Sequence, residues 1–143
     1  MSFQLEANQP AMIDRIDDVY NLAYWMCGNE ATAGMLVSQT YLQGGRSETA
    51  VGLFKAFRNA YLRSFGQEAT IEQDPSVIVN DQEVARAMIT KAADFKMAML
   101  LAEIAGLSHT EIAQVIEQPL TTVRLWLHWG RKLVCQEATE KVN

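Results

Sequence analysis

Residues 107–134 constrain the fold more than any other stretch, because they predict two helices joined by a tight turn. Ser108 and Glu111 have the spacing of a capping box, in which each side chain accepts a hydrogen bond from the other residue's amide. The helix that follows must end before Pro119, because proline has no amide hydrogen and disfavours a helical residue before it. A second helix is predicted over residues 120–136. This pattern is typical of a helix-turn-helix, whose second helix can lie in the DNA major groove.

Apolar residues recur at three- and four-residue spacing through most of the remaining chain, which predicts further helices. Three are expected before Gly66, the first starting near Pro10. Residues 67–81 contain four acids, one proline and no base, a composition typical of an exposed linker. Helical sequence resumes after Asn80, either as one long helix or as two with a break near residues 92–94. The predicted fold is therefore all-α, with two small helical bundles joined by an acidic linker: a three-helix domain at 1–66, the linker at 67–81 and a helix-turn-helix domain at 82–143.

The composition is that of an ordinary globular protein, with 49% hydrophobic and 20% charged residues among 143. No apolar run is as long as a membrane span, and the N-terminus lacks the basic-then-apolar pattern of a signal peptide. We therefore expect a cytoplasmic protein that does not act at a membrane. Cys27 and Cys135 are too few and too far apart in sequence to suggest a disulfide framework or a zinc site.

Convergent acid, base, nucleophile or metal-binding groups, which an enzyme needs, are not evident in the sequence. The chain has only two histidines, His109 and His128, and Gly44-Gly45 alone is typical of a turn and not of a nucleotide-binding loop. We expect no enzymatic activity, no metal, no cofactor and no small-molecule substrate.

The charge distribution bears on nucleic-acid binding. A net charge of −5 argues against nonspecific binding, because phosphate contacts need clustered lysine and arginine. Within the second helix of the helix-turn-helix, however, Arg124, Arg131 and Lys132 have no acid among them. The sequence therefore allows a thin basic patch on that helix. Acidic linker residues that folded over Arg131 and Lys132 would form an autoinhibitory contact.

A dense run of short motifs lies between Gly106 and Leu133. It comprises Gly106-Leu107-Ser108, Glu111-Ile112-Ala113, Pro119-Leu120, Thr122-Val123-Arg124, Leu127-His128 and Arg131-Lys132-Leu133. This run resembles the C-terminal, promoter-reading domain of bacterial sigma factors, especially the small extracytoplasmic-function type. Four positions differ. Leu125, Trp126 and Trp129 stand where the family usually has a small polar residue and two arginines, and Glu117 replaces the usual turn glycine.

The N-terminal part carries a weaker resemblance to the sigma polymerase-binding domain. Its motifs are Tyr20-x-Leu22-Ala23, Gly28-Asn29-Glu30 with Ala33, Leu36-Val37 and Gln39-Thr40-Tyr41-Leu42. The run from Leu53 to Asn59 resembles the following helix, which in the family helps to capture the melted promoter strand. Met35 and Ser38 stand where acids commonly flank the Leu36-Val37 pair, which should weaken docking, and the connection at residues 44–49 is shortened.

The resemblance implies a transcription initiation factor whose partners are core RNA polymerase, promoter DNA and an anti-sigma protein or other regulator. It implies three sets of site residues. Promoter contacts are expected from Thr121, Thr122, Arg124, His128, Arg131 and Lys132; single-stranded DNA contacts from Lys55, Arg58 and Asn59; polymerase contacts from Leu36, Gln39, Thr40 and Tyr41.

A second hypothesis is a sigma-like protein that has lost promoter recognition and binds another protein instead. Leu125, Trp126 and Trp129 would form its apolar interface with a regulator, another subunit or a second copy. The acidic net charge and the missing arginines and acids favour this hypothesis. Packing of the two tryptophans within the protein is the structural alternative, and direct contact of their rings with DNA is a third.

Overall fold

The computed structural model describes residues 14–44 and 47–142, and for residues 134–142 it describes the backbone alone. These described residues form seven α-helices and contain no strand, so the all-α prediction is confirmed. No described helix is long and apolar enough to cross a bilayer. The predicted start near Pro10 and the Cys135 side chain lie outside what is described. The helices are α1 (Ile16–Cys27), α2 (Glu30–Gly44), α3 (Ala50–Phe65), α4 (Gln82–Thr90), α5 (Ala92–Glu103), α6 (His109–Ile116) and α7 (Leu120–Val142).

The ends of the helices follow from local chemistry. Gly28 closes α1 in the left-handed conformation at φ 70°, which costs glycine little because it has no Cβ. Ser108 and Glu111 form the predicted capping box, with Ser108 Oγ accepting from the Glu111 amide at 3.1 Å and Glu111 Oε1 accepting from the Ser108 amide at 2.9 Å. The helical pattern after Asn80 is two helices, and Lys91 separates α4 from α5.

The helices form two groups that lie against each other. The first group is α1, α2 and α3, in which α2 packs on both neighbours. In the second group α5, α6 and α7 pack together, and α4 lies against α5 and α7. The groups meet where α1 packs on α5 and where α3 packs on α6. Their buried side chains form one hydrophobic core that extends from Val19 to Leu133, so the expected pair of bundles shares a single interior.

The segment between Gly66 and α4 is non-helical, as expected of a linker, but it is not simply exposed. Alternate side chains are partly buried against the core, namely Ala69, Ile71, Val77 and Val79, while Ile78 is 80% exposed. Alternation is the consequence of an extended backbone, in which successive side chains point in opposite directions. Asp74 is buried and accepts hydrogen bonds from the Ser76 amide at 2.9 Å and hydroxyl at 2.7 Å, which hold a turn. The expectation of an exposed linker is corrected accordingly.

Candidate nucleic-acid interface and the contacts behind it

α6 and α7 are joined by a tight turn. α6 ends at Glu117, whose backbone is left-handed at φ 57° and ψ 48°. The Gln118 amide then donates to the Ala113 carbonyl at 3.1 Å, and α7 begins directly after Pro119. Glu117 is the only non-glycine residue with positive φ in the described ranges. A left-handed residue with a Cβ costs roughly 1–2 kcal/mol, so this turn is strained where a glycine would not be.

One face of α7 is built into the core. Its buried positions are Val123, Trp126, Leu127, Gly130 and Leu133, which recur at three- and four-residue spacing. A Cβ added at Gly130 would overlap the Met99 side chain, so the absence of a side chain there lets α7 approach α5 closely. This packing fixes which face of the helix remains outside.

The opposite face of α7 carries the residues expected to contact promoter DNA. Thr122 is half-buried at the edge of this face, and Lys132 Nζ lies 4.8 Å from the centroid of the Trp129 ring. Within the described part of the chain, no carboxylate is within ion-pair distance of the arginines or the lysine of this face. Between residues 120 and 133 this face therefore presents positive charge without an ion-pair partner. Its exposed members are Thr121, Arg124, His128, Arg131 and Lys132.

The three residues of the alternative protein interface do not share one environment. Trp126 is 2% exposed, and its ring lies against Phe95 with centroids 5.6 Å apart. It belongs to the core and cannot contribute to an exposed apolar face in this arrangement. Leu125 and Trp129 are partly buried and pack against the core from its edge. A protein interface on this side of α7 would thus consist of the exposed edges of Leu125 and Trp129. The indole N–H of the buried Trp126 has no hydrogen-bond partner among the described atoms.

Of the three candidates for single-stranded DNA, Lys55 and Asn59 are exposed one helical turn apart on α3. Arg58 faces the second group of helices instead. Its Nε donates to Asp94 Oδ1 at 2.8 Å and its Nη2 donates to Asp94 Oδ2 at 3.0 Å, while Nη1 donates to Glu117 Oε2 at 3.2 Å. Hydrogen bonding to Asp94 is the main reason that the pKa of Arg58 is raised above its ordinary value. Sequence reasoning missed both acidic partners.

The Asp94 carboxylate is fully buried at the start of α5 and has a second partner in Gln67. Gln67 Nε2 donates to Asp94 Oδ2 at 2.8 Å, while its Oε1 accepts from the Asp94 amide at 3.1 Å. The Gln67 carbonyl also accepts from the Ala93 amide at 3.1 Å. Two first-turn amides of α5, which have no partner within the helix, are thereby satisfied by Gln67 in the turn that follows α3. Because the capping residue is 27 residues away in sequence, no pattern near the start of α5 predicts this cap.

The expected contact of the acidic linker with Arg131 and Lys132 is not found among the described side chains. Glu72 of the linker and Arg131 of α7 line the same groove, together with Trp25, Met99 and Leu127, in a space of about 460 Å³. No ion pair joins the linker acids to Arg131 or Lys132 among the described side chains. Two arginines bridge the groups of helices: Arg58 pairs with Asp94 and Glu117, and Arg15, just before α1, donates from Nη1 to the Ala105 carbonyl at 2.8 Å.

The four polymerase candidates on α2 are divided between core and surface. Leu36 and Thr40 are fully buried, and the Thr40 hydroxyl donates to the Leu36 carbonyl at 2.7 Å. Gln39 and Tyr41 are half-buried. Burial, followed by the nearby Asp18 carboxylate, raises the pKa of the Tyr41 phenol, which keeps it protonated. Only Gln39 and Tyr41 of the four can therefore reach a partner without rearrangement.

The surface of α2 also contains residues that sequence reasoning did not assign to a site. Met35 is 41% exposed and Leu42 is 85% exposed, with exposed Ser38 between them. The spacing of three and four residues places the three on one side of the helix. Met35 and Ser38 are the two positions at which the sigma resemblance leads one to expect acids. The sequence therefore marked this side of α2 through the two residues that depart from the family pattern.

The described residues contain no group of three or more His, Cys, Asp or Glu side chains that could hold a metal ion. No family model matches the chain. It is 27% identical to the ECF RNA polymerase sigma factor SigE of Mycolicibacterium smegmatis in an alignment of 142 residues, which covers 81% of this chain and 55% of that protein. The chain thus spans about half the length of the curated relative it matches. The likeness is a distant one to a sigma factor of the extracytoplasmic-function type, over most of this chain.

Proposed function

We propose that the chain is a sigma-like transcription factor that binds core RNA polymerase through its first group of helices and promoter DNA through α7. The observation that carries the DNA-binding part is the exposed face of α7. Between residues 120 and 133 this face carries Arg124, Arg131 and Lys132 and no acid, directly after a capped helix and a tight turn. Basic residues in this position on the second helix of a helix-turn-helix can reach base edges and phosphates.

The residues of this face divide between base and phosphate contacts. Arg124 lies in the second turn of α7, and the N-terminal turns of a recognition helix are the part that meets base edges. Its guanidinium can donate two hydrogen bonds to one guanine. Arg131 and Lys132 lie about two turns further on, where phosphate contacts are the more suitable role, and His128 stands between the two regions. Thr121 can contact a phosphate at the start of the helix.

Two departures from the family pattern have structural explanations that leave this face intact. Trp126 fills the core beside Phe95, and Glu117 binds Arg58 across the turn. Neither side chain covers the exposed cations Arg124, Arg131 and Lys132. The distant likeness to a sigma factor and the charged face therefore support the same proposal, although the chain has fewer basic residues on this helix than the family usually provides.

The polymerase-binding part rests on the resemblance of α1–α3 and on the exposed side of α2. Gln39, Tyr41, Met35 and Leu42 are the accessible side chains there. Leu42 would add buried apolar area to this contact, while Met35 and Ser38 stand where the family pattern has acids. The protein-binding alternative has less support, because Trp126, one of the two tryptophans of its interface, lies in the core.

The test is reconstitution with purified core RNA polymerase from the source cell. Co-elution of the two on a sizing column, followed by enrichment of one DNA motif from a random duplex library by the complex, is the expected result. Transcription should then start downstream of that motif. A chain that neither co-elutes with core polymerase nor enriches a motif would contradict the proposal, and capture of another protein without polymerase would favour the adaptor.

A further inference from the structure

Arg58 is the residue at which α3 meets both α5 and the turn before α7. Each of its three guanidinium nitrogens donates to a carboxylate of the other group of helices, two to Asp94 and one to Glu117. We propose that these three residues form a latch, which holds the α1–α3 group closed on the helix-turn-helix and keeps Arg58 from binding a nucleic-acid strand.

The inner half of the latch is the pair of Arg58 and Asp94. The Asp94 side chain is 0% exposed and that of Arg58 is 14% exposed, so water is largely excluded from the contact. Bidentate geometry and the further hydrogen bond from Gln67 satisfy the carboxylate, as a buried charge requires. Removing one partner leaves the other buried without a counter-charge. This destabilises the closed form relative to the open one. Parting α3 from α6 lets water replace the missing partner, and this gain opposes the cost of exposing part of the shared core.

The outer half of the latch connects Arg58 to the turn. Glu117 adopts a left-handed backbone that glycine would adopt without strain, yet its carboxylate is placed 3.2 Å from Arg58 Nη1. The contact explains how an acid is accommodated at this position. Glu117 stands three residues before α7, so the latch is attached to the element that carries the exposed cations.

Closure and strand binding compete for the same guanidinium. A phosphate that approached Arg58 in the closed form would meet the carboxylates of Asp94 and Glu117, which repel it. Lys55 and Asn59 on the same helix stay exposed, so they can make a first, weaker contact. This step rests on the proposed function, whereas the latch itself concerns the free protein alone.

The latch is tested by a distance measurement on the full chain without polymerase or DNA. Spin labels are placed at Ser38→Cys on α2 and Gln114→Cys on α6, both exposed, after both native cysteines are changed to serine. The parent should give a dominant short distance and a small open fraction at a longer one. The double variant Asp94→Asn, Glu117→Gly should increase the population with the longer distance between the labels, which is the open form. Glu117→Gly alone should raise the fraction of this open form about two- to fivefold, the range for an exposed ion pair.

Arg63→Gln is the matched control, because Arg63 lies on the same helix and, among the described residues, bonds to Gln43 of its own group. It should leave the distance distribution unchanged. Glycine is favoured at residue 117, so Glu117→Gly should stay folded. It therefore provides a test even if Asp94→Asn disturbs α5. Helical content by circular dichroism identifies any unfolded sample. An unchanged, parental distance distribution in both folded variants would overturn the latch.

Masking of Arg58 is tested separately with a fluorescent oligothymidylate. Asp94→Asn with Glu117→Gly should bind it about fivefold or more tightly than the parent, and adding Arg58→Gln should cancel the gain. Glu83→Gln with Glu103→Gln changes the net charge equally on exposed positions and serves as the control. An equal gain in the control, or a gain that survives Arg58→Gln, would overturn masking. If no variant binds the oligothymidylate, both the masking of Arg58 and strand binding by α3 are overturned. The latch itself is tested independently by the spin-label distances.

Discussion

The indole of Trp126 and the ring of Phe95 lie with centroids 5.6 Å apart and planes inclined by 44°. Both side chains are buried, at 2% and 0% exposure, and they join α7 to α5 on the side of α7 that faces away from its cations. Trp126 is one of the residues by which this chain departs from sigma factors on the recognition helix. The aromatic pair shows that the departure contributes to folding, because it anchors the helix whose other face is exposed.

The first prediction concerns this anchor. Trp126→Ala should lower the free energy of unfolding by about 3–5 kcal/mol, the usual cost of removing a fully buried aromatic side chain. Its indole N–H has no partner among the described atoms, so no hydrogen bond is lost with the ring. Urea denaturation followed by circular dichroism measures the change. Trp129→Ala, at a half-buried position, should cost only about 1 kcal/mol, and equal losses at the two sites would contradict the assignment of Trp126 to the core.

The close approach of Gly130 to Met99 gives a second prediction. Alanine is favoured over glycine inside a helix by about 1 kcal/mol, but the added Cβ would overlap the Met99 side chain. We expect Gly130→Ala to be neutral or destabilising in the parent and stabilising in a Met99→Ala background. A double-mutant cycle in urea should give a coupling of about 1–2 kcal/mol between the two sites. Additive effects would mean that Met99 moves aside without cost.

Much of the secondary structure could be predicted because its signals are local. The capping box at Ser108 and Glu111, Pro119 before α7 and Gly28 at the end of α1 each involve residues close in sequence. The burial of alternate linker residues could not be predicted in the same way. It depends on which surface lies beneath the linker, and that surface is assembled from helices distant in sequence.

The candidate site was predictable to a smaller extent, and for the same reason. Periodicity on α7 predicts that two tryptophans three residues apart lie near each other, but it does not tell which one meets α5. The position of Phe95, 31 residues earlier in the chain, decides this. Arg58 is a second case. Its partners Asp94 and Glu117 are 36 and 59 residues away, and an isolated arginine on a helix gives no indication of such a pair.

The third prediction concerns alkaline pH. Burial raises the pKa of Tyr61 to about 12, and its hydroxyl donates to the Glu68 carbonyl at 2.6 Å. The folded state therefore holds this proton more tightly than the unfolded state, in which the pKa is near 10. The stability gained is complete below pH 10 and is lost as the pH rises from 10 towards 12. Tyr61→Phe should lower the free energy of unfolding by about 1 kcal/mol at pH 7. It should also flatten the plot of this free energy against pH above pH 10. Urea unfolding between pH 8 and about 11.5 measures both effects. An identical alkaline slope in the variant would contradict the role of Tyr61.

The fourth prediction concerns the exposed side of α2. If the sigma resemblance extends to function, restoring acids with Met35→Asp and Ser38→Asp should strengthen binding to core polymerase severalfold, because both positions are exposed. The gain should shrink at high salt, as expected of exposed charges. Equilibrium binding to labelled core enzyme at two salt concentrations measures it. Glu48→Gln, outside this face, should have little effect, and a loss of affinity in the double variant would assign the α2 surface to apolar contacts instead.

The fifth prediction separates base contacts from phosphate contacts on α7. Arg124→Ala should weaken binding of the selected DNA motif by about 1–3 kcal/mol and relax the base preference at one position. Lys132→Ala should instead weaken binding to all duplexes alike and reduce the slope of log affinity against log salt by about 1. Fluorescence anisotropy over a salt series, on the motif and on a scrambled duplex, distinguishes the two. Arg86→Ala, an exposed arginine on α4, is the control and should change neither quantity. If Arg124→Ala affects both duplexes equally, α7 contacts the phosphate backbone only, and promoter reading by this face would be excluded.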